Sequence, residues 1–278
     1  MLFRSVEAIA SVRVVGYYDT NSGDGLNPLT PARILDSRPS GPNIGAYDTP
    51  WGAGTTRDVQ VAGVGGVPSG VDGVVLNVTV TNTTAPSFLS IWPAGLPTPN
   101  PLVSSLNWAA GQTVPNAVTA KAGANGKVTL MNPGGDVDVI IDVVAYFASG
   151  SGQPFHPLSP ARILDSRPSG PNIGAYDTRW GPAVTRSVNV VNVGGVPASG
   201  VQAVLANVTV TNTTAPSFLS IWPGALPIPN PLVSSLNWVA GQTVPNAVTA
   251  KTGSNGALNA FNTGGYVDVI ADVNGWYG

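Results

Sequence analysis

At 278 residues, 43% hydrophobic and only 9% charged, the chain is long enough for two packed cores and too apolar to stay disordered. A formal net charge of -2 gives no basic footprint for nucleic acid or an anionic membrane, and no apolar run approaches the roughly 20 residues of a membrane-spanning helix. Cysteine is absent, which excludes disulfide staples and thiolate chemistry.

The first element in chain order is an apolar alternation, AIASVRVVGYY from Ala8 to Tyr18. It predicts a strand with Ala8, Ala10, Val12, Val14 and Gly16 on one face and Ile9, Ser11, Arg13, Val15 and Tyr17 on the other. The residues around it lack the apolar centre and small-residue cleavage site of a signal peptide, so an export route is not encoded in them. Further strands are predicted near residues 32–37, 57–62, 73–82, 88–92, 104–108, 116–122, 127–132 and 137–147, separated by PSG, GGVP, TAP, LPTPNP and PGG turns. In GVVLNVTVTN, Val74, Leu76, Val78 and Val80 are expected in a core, with Val75, Asn77, Thr79 and Thr81 facing away. Asn125-Gly126 and Asn255-Gly256 lie between apolar runs and predict hairpins with type I′ turns. The connector Ala148 to Leu158 (ASGSGQPFHPL) is rich in Gly, Ser and Pro.

Everything after the first strand is then said twice. Pro31 to Thr49 recurs unchanged as Pro160 to Thr178, Asn77 to Pro93 as Asn207 to Pro223, and Ala110 to Lys121 as Ala240 to Lys251. The closing strand VDVIIDVVAYF (Val137 to Phe147) returns as VDVIADVNGWY (Val267 to Tyr277), and the Ala8 to Tyr18 strand is a third, degenerate copy. Eight short strands per unit without helical periodicity predict an all-β protein of two tandem antiparallel β-sandwich, jelly-roll-like domains plus an extra N-terminal β-strand. The expected division is 1–26 for the extra strand and its linker, 27–148 and 155–278 for the domains, and 149–154 for the connector.

The ordered series ARILDSR, GGVP, LNVTVTN or ANVTVTN, FLSIWP, LVSSLNW, GQTVPN and DVIxDV with a terminal aromatic pair resembles a repeat module of secreted and surface proteins of actinobacteria and Chloroflexi-like bacteria. The resemblance covers the chain from Asn27 onward. It implies an extracellular or cell-surface, all-β accessory or structural module, often in tandem or attached to exported enzymes. It brings no catalytic residues.

Chemistry-bearing residues are few. His156 is the single histidine and Glu7 the single glutamate, so triads and histidine metal sites lack their parts, and His156 reads as a solvated connector residue. The recurring charges are Arg33, Asp36, Arg38, Asp138 and Asp142, matched by Arg162, Asp165, Arg167, Asp268 and Asp272. In so uncharged a chain they predict structural ion pairs, because a partly buried charge persists only when paired. The Asp136 to Asp138 DVD is not repeated, which argues against a calcium loop, and no cofactor is implied.

Two functional classes follow. The preferred one is a non-enzymatic structural or adhesive protein, a filament or surface-array subunit whose partner is another copy of itself, joined head-to-tail by β-strand pairing through Ala8, Ala10, Val12, Arg13, Val14 and Tyr17. Its rival is a tandem carbohydrate- or cell-wall-binding module of a secreted enzyme, in which Trp51, Trp92, Trp108, Trp180, Trp222 and Trp238 stack on polysaccharide. An aspartate-based hydrolase ranks third.

Overall fold

The computed structural model describes Gly16, Tyr17 and residues 23–278. The strand expected at Ala8 to Tyr18, with Ala8, Ala10, Val12, Arg13 and Val14, therefore lies outside the described residues, apart from the exposed Gly16 and Tyr17.

The first repeat comprises β1 (Gly25–Asp36), β2 (Thr55–Gln60), β3 (Gly73–Thr81), β4 (Ser87–Pro93), β5 (Leu106–Trp108), β6 (Val114–Lys121), β7 (Lys127–Asn132) and β8 (Asp138–Ala148). The second comprises β9 (Phe155–Asp165), β10 (Val184–Asn189), β11 (Ala203–Thr211), β12 (Ser217–Pro223), β13 (Leu236–Trp238), β14 (Val244–Lys251), β15 (Ala257–Asn262) and β16 (Asp268–Tyr277). Each repeat forms two four-stranded sheets, in the orders β1-β8-β3-β6 and β2-β7-β4-β5, then β9-β16-β11-β14 and β10-β15-β12-β13. All pairings are antiparallel, and consecutive strands switch sheets except at β4-β5 and β12-β13, as in a double Greek-key jelly roll. The chain is thus two tandem β-sandwich domains.

Alternation places the cores. Val74, Leu76, Val78 and Val80 of β3 pack with Leu89, Val128, Leu130, Val139, Ile141 and Val143, and the second repeat repeats this with Val204, Ala206, Val208, Val210, Leu219 and Leu258. Three large residues of the first core, Leu76, Leu130 and Ile141, are alanines in the second, Ala206, Ala260 and Ala271. An apolar cavity of about 30 Å³ lies among these alanines.

Two expectations need correction. The Asn-Gly turns do not close hairpins, because β6 pairs with β3 in one sheet while β7 pairs with β2 and β4 in the other. Asn125 and Gly126 do adopt positive φ, 55° and 66°, but the turn carries the chain across the sandwich, and the Gly126 carbonyl accepts from the Val61 and Ala62 amides. Nor is β3 half-buried: Val75, Asn77 and Thr79, on its outward face, are buried as well. What covers them is the second repeat.

Candidate functional site

The outward face of the β1-β8-β3-β6 sheet carries Arg33, Ile140, Asp142, Val75, Asn77, Thr79 and, from β6, Pro115 and Ala117, placed side by side by the strand registers. A bulge between Val143 and Ala145 shifts the alternation of β8, so Ala145 joins this face while Tyr146 turns toward the core, away from the face shared by Asp142. The residues therefore bring a charged cluster and a small apolar patch onto one surface.

The cluster is a network of paired charges. Arg33 donates from Nε to Asp142 Oδ1 at 2.9 Å and from Nη1 to Asp36 Oδ2 at 3.4 Å, while Arg38 donates from Nε and Nη2 to Asp36 at 2.8 and 2.6 Å. Burial lifts the Asp142 carboxyl to about 6 against the pull of Arg33. Burial also pushes Asp36 up, but hydrogen bonds and charge from Arg38, with Arg33 behind it, hold that carboxyl below its usual range. The second repeat copies the arrangement: Arg162 holds Asp272 at 2.8 Å and Asp165 at 3.2 Å, and Arg167 holds Asp165 at 2.6 Å. Asp138 differs from the expectation of an arginine partner, since Ser37 and Asn82 donate to it. Its counterpart Asp268 accepts from Asn212, with Arg179 at 3.9 Å.

Onto the first repeat's face docks an edge of the second repeat, made of the 232–235 loop, β13 and β14. Arg33 Nη2 donates to the Leu232 carbonyl at 3.1 Å, and the Asn77 amide donates to the Ser234 carbonyl. The Asn246 amide donates to Asn77 Oδ1, and the Ala117 amide donates to Asn246 Oδ1 at 3.2 Å. Near the connector, Leu26, Val75 and Ala145 form one apolar cluster with Ala203 and Tyr277 of the second repeat.

The contact is not reciprocal. Arg33 and Asp142 retain 7% and 0% side-chain exposure, whereas Arg162 and Asp272, in the same places on the second repeat, retain 33% and 23%. Asn207, the equivalent of Asn77, donates to Thr209 of its own strand. On the edges the order reverses, with Val233, Ser234, Ser235 and Asn246 buried but Val103, Ser105 and Asn116 half-buried and Ser104 exposed. Among the described residues, one face and one edge are joined; the other face and the other edge stay open.

The six tryptophans expected on a sugar-binding face lie elsewhere. Trp51, Trp92, Trp108, Trp180, Trp222 and Trp238 are all buried, which removes the open ring face that stacking on a sugar requires. Trp51 and Trp180 bridge to Val137 and Val267, with Arg57 and Arg186 each 4.5 Å above the ring. Trp92, Trp108 and Trp222 donate to the Leu96, Ala85 and Leu226 carbonyls. His156 is likewise no connector residue: it lies in β9 and stacks on Trp276 at 4.0 Å. Asn77, Ser234 and Asn246, which join the repeats, were not expected. Their signal was an asparagine among the outward residues of a strand, with no indication of which copy would be covered.

Among the described residues, no three His, Asp or Glu side chains gather as a metal site would need, and no helix is long and apolar enough to cross a membrane. No family model matches the chain, and no curated protein matches it. Solved structures resembling it include the N-terminal CBM22-1-CBM22-2 tandem domain of Paenibacillus barcinonensis Xyn10C, at 8% identity and TM-score 0.24, covering 94% of this chain and 100% of that one. The PBSX exported protein XepA shows 11% identity and TM-score 0.25 over 96% and 99% of the two chains. The Penaeus vannamei nodavirus structure shows 11% identity and TM-score 0.19 over 99% and 96%. Scores this low carry no inference about function.

Proposed function

We propose that this chain is a structural or adhesive protein of the cell exterior, without enzymatic activity, that works as a multiplied module and assembles with further copies of itself. The observation that carries the reading is the docking of one repeat on the other through buried charged and amide groups, which turns two near-copies into one unit. A module used singly has no need of such a joint. The resemblance to surface repeat modules supports the extracellular placement. A candidate for the joint to further copies is the segment of Ala8, Ala10, Val12, Arg13, Val14 and Tyr17, added as a strand to a sheet edge of another molecule. Electron microscopy of the purified chain at low and high concentration tests assembly: filaments or sheets support it, and dispersed particles throughout overturn it. Deleting residues 1–18 tests the strand: loss of assembly in a chain that stays folded assigns the joint to it, and assembly that persists places the joint elsewhere.

A second reading, polysaccharide binding, is favoured by one observation. Tyr266 is 53% exposed beside Arg179, whose guanidinium lies 5.9 Å from its ring, and neither residue has a counterpart of its type in the first repeat. An open aromatic with polar neighbours is what a sugar face stacks on. Retention on insoluble polysaccharide that is lost in Tyr266→Ala is the result that supports it.

A further inference from the structure

The joint between the repeats uses a face of the first and an edge of the second, and each surface has an unused counterpart. The edge counterpart is close to a replica. Residues 99–108 (PNPLVSSLNW) are identical to 229–238, and 110–121 are identical to 240–251, so the hydrogen-bonding edge groups that meet the first repeat's face exist again on the first repeat, while Ala203 and Tyr277 of the apolar cluster are matched there by Gly73 and Phe147. Its geometry is already set, since Asn116 donates to the Ser105 carbonyl at 2.6 Å just as Asn246 donates to that of Ser235 at 2.8 Å.

The face counterpart is conserved in the groups that make the joint. Arg162, Asn207, Thr209, Ile270 and Asp272 stand where Arg33, Asn77, Thr79, Ile140 and Asp142 stand, with the same Arg-Asp hydrogen bonds. Where it differs, bulk is traded locally. Val75 faces Ala145 across the first sheet, and Leu205 faces Gly275 across the second, one side chain growing as its neighbour shrinks. Phe155 then lies over Gly275, near the connector end and away from Asn207 and Asp272.

We infer that a second copy of this chain docks the edge of its first repeat, through Leu102, Ser104 and Asn116, on the outward face of this chain's second repeat, through Arg162, Asn207 and Thr209. This inference rests on the assembly reading above and specifies its joint. The occupant is fixed by continuity with the joint inside the chain: the surface that fits this face is the 232–235 edge, and its open twin is on the first repeat. Arg162 then donates to the Leu102 carbonyl, Asn207 donates to the Ser104 carbonyl, and Asn116 donates to Asn207. Because face meets edge, the contact is heterologous. Repetition adds repeats in one direction, ending in a filament or, if the rotation closes, a ring.

Two blocked variants of the full chain test this. Ser104→Arg puts a long charge on the exposed edge, and Thr209→Arg puts one in the middle of the open face. Both positions are away from the cores, and circular dichroism confirms folding. In sedimentation velocity across a wide concentration range, the wild type should form a growing series, each variant alone should stay monomeric, and an equimolar mixture should stop at a dimer joining the free edge of one variant to the free face of the other. Variants that assemble like the wild type, while deletion of residues 1–18 abolishes assembly, would overturn this joint and leave the assembly reading standing. A wild type monomeric at every concentration would overturn both.

Discussion

Asn246 and Asn77 join the two repeats side chain to side chain, the Asn246 amide donating to the Asn77 carbonyl oxygen at 3.1 Å. Their equivalents, Asn116 and Asn207, keep hydrogen bonds within their own repeat. The same two residue positions thus occur once in a closed joint and once open, which makes the second pair an internal control for the first.

Asn77→Ala should therefore cost far more than Asn207→Ala. The first change strips a partner from the buried Ser234 carbonyl and the Asn246 amide, a loss of about 1 to 3 kcal/mol. The second removes a half-exposed amide and should stay within about 0.5 kcal/mol. Scanning calorimetry of both variants reads the difference. Equal shifts would mean that the interface contributes nothing measurable.

Filling the second core should stabilise the protein. Ala271→Ile restores the residue that the first repeat carries as Ile141 and enters the cavity bordered by Ala206 and Ala260. The expected gain is about 1 to 2 kcal/mol, seen as a higher melting temperature for the second repeat. A lower one would show that the added carbons overpack their neighbours.

The jelly roll was legible because β3 and its twin alternate cleanly and turn residues punctuate every strand. The Arg33, Asp36 and Asp142 network was legible from charge scarcity. The docking asymmetry was not, for a physical reason: two identical segments carry identical local information, so nothing in LVSSLNW says that Ser234 will be buried and Ser104 exposed. The Asn125-Gly126 turn misled in another way. Local φ preference specifies the turn, but the sheet each flanking strand joins is set by distant partners, Val59 for β7 and Leu76 for β6. The tryptophans were ambiguous because a ring beside Thr and Asn looks alike in a core and on a binding face. Arg57 over Trp51 settles that position only in three dimensions.

Trp51→Ala and Trp108→Ala should act on stability. Each deletes a buried ring at about 3 to 5 kcal/mol, so the melting transition should fall steeply or vanish. Tyr266→Ala should leave the transition nearly unchanged, since its ring is largely in solvent. Circular dichroism melts of the three variants separate the roles. A cooperative, wild-type melt for Trp51→Ala would contradict its place in the core.

The final prediction concerns pH. Asp142 binds its proton more tightly in the folded chain, at about 6, than at its ordinary 3.8, because burial opposes the charge more than Arg33 favours it. Between those values the folded state holds more protons than the unfolded one, so this group's contribution to stability falls as pH rises from 4 to 6. The full effect is about 3 kcal/mol at most. Asp36 and Asp165, held low by Arg38 and Arg167, contribute in the opposite sense, with stability lost as pH falls through their folded values, below the ordinary carboxylate range. The two trends therefore occupy different windows. Melting temperatures measured from pH 4 to 7 should decline more steeply for the wild type than for Asp142→Asn, which has no carboxyl to titrate there. A slope that survives in Asp142→Asn would assign the titration to another group and remove Asp142 as the pH-sensitive element of the joint.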